Sequence, residues 1–433
     1  MAEFRVAVAG AAAWAMAALA ATAQTAPQHG PGRVIPAGDF DGDGRGDLWI
    51  HDGETLQAWT GAPAAPWLRQ AAGTAFETDA RLASVVWAGR HLFAAEPGGS
   101  PRELRVPSWA VGPTGAPVER REQFLASDDP DAEITAVRIA PLGFDHDGDG
   151  HDDVVVLHRE EYTRGRGRFF ASYVGRVGAT RPCWIPLLGD GERPMACVGL
   201  SATASLAQPG DETVLVVTSA DGQSGHGFAV ASIGPGTNGE PQLRSTFEVP
   251  FAPPLHVPGA LDLDASALFT NADPARALAM PLLRLSGGAS FVLHASTFAP
   301  WVTAAGVWVH TSAAGYAIPG SAADYDGDGS AEVVFLETLP ALQTDIVAIA
   351  GPHVADRNHQ AMLWPSFELP GPPRDRGHLY DVAHAAPVDV DGDGDPDLVM
   401  SLRTPEQSGS SGIAVFRAEP VGSGPMRQLV RVR

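Results

Sequence analysis

Short apolar runs separated by turns rich in Gly, Pro and Asp recur along the chain, and no stretch carries the sustained 3.6-residue periodicity of an amphipathic helix. Four of these runs, Leu48-Trp49-Ile50, Val154-Val155-Val156, Val333-Val334-Phe335 and Leu398-Val399-Met400, each follow directly on an acidic, glycine-rich stretch. Around the first of them the pattern predicts strands over Arg33–Pro36, Leu48–His51 and Leu56–Trp59, the last two joined as a hairpin. Three more strands are predicted near the end, over Leu398–Leu402, Gly412–Phe416 and Gln428–Val432.

The acidic stretches share one spacing. They place carboxylates at positions 1, 3, 5 and 9 of a loop and glycine at positions 4 and 6. The sets are Asp39, Asp41, Asp43 and Asp47; Asp145, Asp147, Asp149 and Asp153; Asp324, Asp326, Asp328 and Glu332; and Asp389, Asp391, Asp393 and Asp397. Four carboxylates so close together repel one another unless a hard cation gathers them, and Ca²⁺, with six to eight oxygen ligands in a flexible shell, suits such a set. Position 7 varies (Arg45, His151, Ser330, Asp395), as expected where the backbone carbonyl is the ligand. An EF-hand is excluded, because position 12 is Ile50, Val156, Phe335 or Met400 instead of Glu, and the flanks are strands instead of helices.

This arrangement resembles the calcium loops of FG-GAP, or VCBS-type, repeats, the blade units of the integrin α-subunit propeller. The resemblance implies an all-β fold, a β-propeller of four-stranded blades in which each loop joins a blade's first two strands, and about four bound Ca²⁺. The loops begin at residues 39, 145, 324 and 389. With roughly 50 to 65 residues per blade, the gaps hold further copies that lack the loop. These are expected at Ser84–Ala94, at Leu206–Val217, and at Gly259–Asp264 followed by Ala267–Phe269. The count comes to seven blades, with six and eight as the alternatives, over residues 33–433.

Composition adds compartment and partners. Residues 1–23 have the pattern of a signal peptide: Arg5 precedes an apolar run ending near Ala20, and Ala21-Thr22-Ala23 fits a cleavage site. Residues 24–32 have linker composition, and no later segment is long and apolar enough to span a bilayer. Export to the periplasm, the cell surface or the medium is expected, and in that setting Cys183 and Cys197, the only two cysteines, are expected to form a disulfide. The formal charge is −22, with no Lys in the chain, which argues against nucleic acid as a partner.

Other candidate chemistry is sparse. Arg45-Gly46-Asp47 is a cell-attachment tripeptide on paper, but Asp47 is committed to the loop. Arg164, Arg166 and Arg168 form the one basic cluster, at an expected hairpin tip. His353, His359, His378 and His384, with Arg374 and Tyr380, could serve a lyase acting on acidic polysaccharide, although none shares metal-motif spacing. The tryptophans could stack on sugars or fill the space between blades. The first reading is a non-catalytic binding, adhesion or docking module with a protein or glycan ligand; the alternative is a carbohydrate-active propeller such as a polysaccharide lyase.

Overall fold

The computed structural model describes residues 33–51, 55–78, 85–162, 166–185, 228–249, 382–403 and 411–420 continuously, with further strands between 197 and 368 and at 427–431. The expected signal peptide and linker lie outside the described residues.

The described strands form seven antiparallel sheets, each with a path of four strands that follow one another up and down, and one separate two-stranded pair. The sheets span Arg33–Glu77, Val85–Ala126, Glu133–Ile185, Cys197–Val249, Leu261–His310, Gly315–Glu368 and Val382–Arg431, here blades 1 to 7. The first strands of blades 1 to 5 pack side by side in order, blade 6 adjoins blade 5, and Val382–Val388 of blade 7 packs on Arg33–Gly38 of blade 1. The molecule is a β-propeller, and among the described residues it has the seven blades counted from the loop spacing.

Alternation along the second strand of a blade explains the continuous apolar runs. Val34, Leu48 and Trp59 face Val388, Val399 and Val415 of blade 7, whereas Ile35, Trp49 and Ala58 face Val85, Leu92 and Trp109 of blade 2. In blade 3, Val154 and Val156 face blade 2, while Val155 and Leu157 face Ile233 of blade 4. A strand buried on both faces has no position to leave polar. Trp49, Trp59 and Trp109 thus fill interblade space, whereas Trp184 is exposed on an outer strand.

Two readings of the faint copies change. Blade 2 has the expected strand, two-residue turn and strand, Val85–Ala88 and His91–Ala94. In blade 4 the first strand is Cys197–Ala204, ahead of Leu206, which falls outside the described residues. In blade 5, Leu261–Asp264 pairs with Leu282–Leu285, and Leu268–Phe269 belongs to the small separate sheet with Leu278–Ala279. An inserted hairpin there carries an apolar pair that mimics a blade strand.

The disulfide expectation is corrected. Cys183 is a free thiol on the outermost strand of blade 3, and Cys197 opens the innermost strand of blade 4. First and fourth strands stand about three inter-strand spacings apart, roughly 14 Å, which is beyond the Cα separation a disulfide can span.

The ring closes without exchanging a strand. Gly46 N–H donates to the Asp389 carbonyl (2.5 Å) and Ala62 N–H to the Val390 carbonyl (3.2 Å), so the first and fourth acidic loops meet at the seam between blades 1 and 7. Close approach requires glycine there: a Cβ on Gly46 would lie 2.8 Å from the Asp389 carbonyl, and one on Gly392 would lie 2.8 Å from that of Gly44.

Candidate metal centres

Three of the four acidic loops are described, and each connects the first and second strands of its blade: 39–46 in blade 1, 142–153 in blade 3 and 389–396 in blade 7. Of the loop at 324–332 only Tyr325 is placed, and it is buried; Asp324, Asp326, Asp328, Ser330 and Glu332 lie outside the described residues.

The three loops are built alike. The position-1 carboxylate accepts the N–H of both glycines: Asp39 from Gly42 (2.6 Å) and Gly44 (2.8 Å), Asp145 from Gly148 and Gly150 (2.7 Å each), Asp389 from Gly392 (2.8 Å) and Gly394 (2.9 Å). Position 3 accepts the N–H of position 5, and position 5 accepts that of position 7 at 3.0 Å in all three, from Arg45, His151 and Asp395. Both glycines hold positive φ, between 79° and 93°, a region that residues with a Cβ rarely enter.

Position 9 is buried. Asp47, Asp153 and Asp397 are at most 1% exposed, and each ties the loop's start to the strand by accepting the N–H of position 2, from Phe40, His146 or Val390. Asp47 and Asp397 also accept an N–H from the third strand, from Gly61 (3.1 Å) and Ala418 (2.8 Å). This burial settles the fate of Arg45-Gly46-Asp47: its acid faces the interior and its glycine is pressed against blade 7.

Carboxylate oxygens converge in each loop. Those of Asp39, Asp41 and Asp43, of Asp145, Asp147 and Asp153, and of Asp389, Asp391 and Asp397 lie within 4.8 Å of one another. Asp47, Asp149 and Asp393 are outside these tightest sets, though each belongs to the same loop.

The electrostatics divide by position. Burial pushes the Asp47 and Asp397 carboxyls up to about 7 against the opposing pull of their backbone hydrogen bonds, and it raises Asp153 in the same sense. Asp41 is raised by burial and by the charges of Asp43 and Asp39. At Asp39 and Asp145 burial acts upward too, but the glycine N–H groups outweigh it and the net shift is downward. Buried carboxylates that resist ionisation want a cation beside them.

The donor set fits Ca²⁺. It consists of carboxylate oxygens, and three that lie within 4.8 Å of one another can share one ion at Ca–O distances of about 2.3–2.6 Å. In blade 3 the space is kept open by Gly175, where a Cβ would press on Asp147 Oδ2 and lie 2.5 Å from Asp153 Oδ1. Sequence reasoning missed Gly175, and also His146, whose Nδ1 lies 2.6 Å from Asp153 Oδ2. It missed Arg417 as well, whose Nη2 donates to Asp391 Oδ2. None of the three falls on the repeated spacing that revealed the loops.

The remaining candidates separate from these centres. Arg166 and Arg168 lie on the hairpin strand Arg166–Val174, with Arg168 over the Tyr162 and Trp184 rings, and Arg164 lies outside the described residues. His384 lies on the innermost strand of blade 7, and His353, His359, Arg374, His378 and Tyr380 lie outside the described residues.

No protein-family profile matches the chain, and no curated protein matches it either. Among solved structures it is similar to BBS1N in complex with ARL6DN, at 12% identity and a TM-score of 0.46, over 91% of this chain and 94% of that one. A Synechocystis apocarotenoid oxygenase variant is similar at 9% identity and 0.39, over 80% and 73%. A subtype N10 neuraminidase-like protein of a little yellow-shouldered bat isolate is similar at 9% identity and 0.36, over 90% and 96%.

Proposed function

We propose that the chain is an exported, calcium-binding β-propeller of FG-GAP or VCBS type that acts as a non-catalytic binding, adhesion or docking module. The observation that carries the reading is the threefold construction of one hydrogen-bonded loop at one place in the blade, each copy gathering carboxylates within 4.8 Å. Asp39, Asp145 and Asp389 with their loop partners would hold the ion, and the ion would neutralise charge that the folded chain otherwise leaves in mutual repulsion. The chain's own part is positional. Position 1 is fixed by glycine N–H groups, position 9 is anchored in the blade, and the loop fastens the first strand to the second.

Such loops stiffen a scaffold whose faces remain available to a protein or glycan. Calorimetric titration with Ca²⁺, followed by a panel of neutral and acidic glycans, tests the reading. Ca²⁺ binding without catalytic turnover supports it. Release of unsaturated products from a uronic-acid polymer would replace it with a lyase.

A further inference from the structure

We propose that Arg417 is a built-in counter-cation of the loop at 389–397, holding the closing seam without metal and making that loop a weaker divalent-cation site than those at 39–47 and 145–153. The inference rests on the calcium reading above and concerns how the chain's own residues grade its sites.

Three blades offer an internal comparison. Pairing of Leu48 with Trp59, Val154 with Val174 and Leu398 with Phe416 puts the next residue of the third strand opposite the position-9 acid. That residue is Thr60 in blade 1, Gly175 in blade 3 and Arg417 in blade 7. Glycine leaves the carboxylate cradle open and threonine brings no charge. Arg417 sends its guanidinium onto Asp391, one of the three converging acids.

The guanidinium is also held from behind. It stacks on Trp67 of blade 1, 4.2 Å from the ring centroid, and its Nη1 lies 3.7 Å from Glu419. Asp391, Arg417 and Trp67 therefore form one chain of contacts across the seam, beside the Gly46–Asp389 hydrogen bond. A desolvated cation–π contact strengthens such a clamp.

The other loops have basic neighbours of a different kind. Arg45 pairs with Asp43 at 2.6 Å, but it comes from two residues along the same loop, and its acid is 30% exposed where Asp391 is 8% exposed, so water screens that pair more. His146 meets Asp153 from within its own loop. Arg417 arrives from another strand and always carries its charge. A dication entering its loop must displace the guanidinium from Asp391 or accept a positive charge beside it.

The test is Ca²⁺ titration calorimetry on the mature chain and on the variants Arg417→Ala and Arg417→Met, the second keeping an aliphatic stem over Trp67 if the first disturbs folding. The expected result is one weak site in the parent chain that tightens by about tenfold or more in both variants, as removal of an adjacent unit charge dictates. In EDTA the variants should melt below the parent, because the seam has lost its internal cation. A tryptophan emission change on Ca²⁺ binding should also be reduced by Trp67→Phe. Unchanged isotherms in both variants, with the other sites binding normally, would overturn the proposal and leave the calcium reading standing. No binding at any site in any of the proteins would overturn the calcium reading and this inference with it.

Discussion

At the scale of single residues, position 9 and Gly175 have the most consequence. Asp47 and Asp397 rise from an ordinary value of 3.8 to about 7 on burial. The folded chain therefore holds protons that the unfolded chain has released, and the associated stability is complete below about pH 4 and lost as pH climbs through 7. Metal-free protein should accordingly melt at lower temperature at pH 8 than at pH 5, and excess Ca²⁺ should remove the decline; a metal-free melting temperature that rises across that interval would contradict the assignment. Gly175→Ala tests the cradle in blade 3. The added methyl would occupy the space between Asp147 and Asp153, so calorimetry should show one site fewer than the parent. An unchanged stoichiometry would mean the ion sits elsewhere.

At the scale of elements, the acidic loops and the strands beginning at Asp47, Val154 and Asp397 were legible because both follow simple rules. Glycine must occupy the positive-φ positions, and a strand buried on both faces must be apolar throughout. The loop-less copies were legible as turns between apolar runs, but their boundaries were not. In blade 5 an inserted hairpin carries Leu268–Phe269 in place of the true second strand, Leu282–Leu285. Nor could spacing reveal that Cys183 ends on an outer strand while Cys197 starts an inner one, since radial position depends on which strand of a blade a residue joins. Arg417 and Gly175 were illegible for a related reason: they act on a loop roughly a strand and a turn away, through a pairing register that no local pattern states. The interblade packing itself predicts a large effect. Trp49 is fully buried between blades 1 and 2, and Trp49→Ala should cost about 3–5 kcal/mol by chemical denaturation, whereas Val118→Ala on an exposed outer strand should be close to neutral.

At the scale of the whole molecule, the propeller protects its sheet edges by radial packing, and its closure depends on the contact between the first and last blades. Two acidic loops lie at that contact, joined by the backbone bond from Gly46 to Asp389, so a cation held in either loop would be coupled to ring closure. The formal charge of −22 includes sixteen carboxylates at loop ligand positions, of which four bound Ca²⁺ would offset about eight charges. A ligand present at a hundred times its dissociation constant stabilises by about 2.7 kcal/mol per site, enough that several sites together would dominate the stability of the chain. Thermal denaturation of the protein with and without EDTA, paired with calorimetric counting of bound Ca²⁺, tests this account most directly. The account predicts about four ions and a clear fall in melting temperature on chelation that added Ca²⁺ reverses. A melting curve indifferent to chelation, with no bound ions, would contradict it.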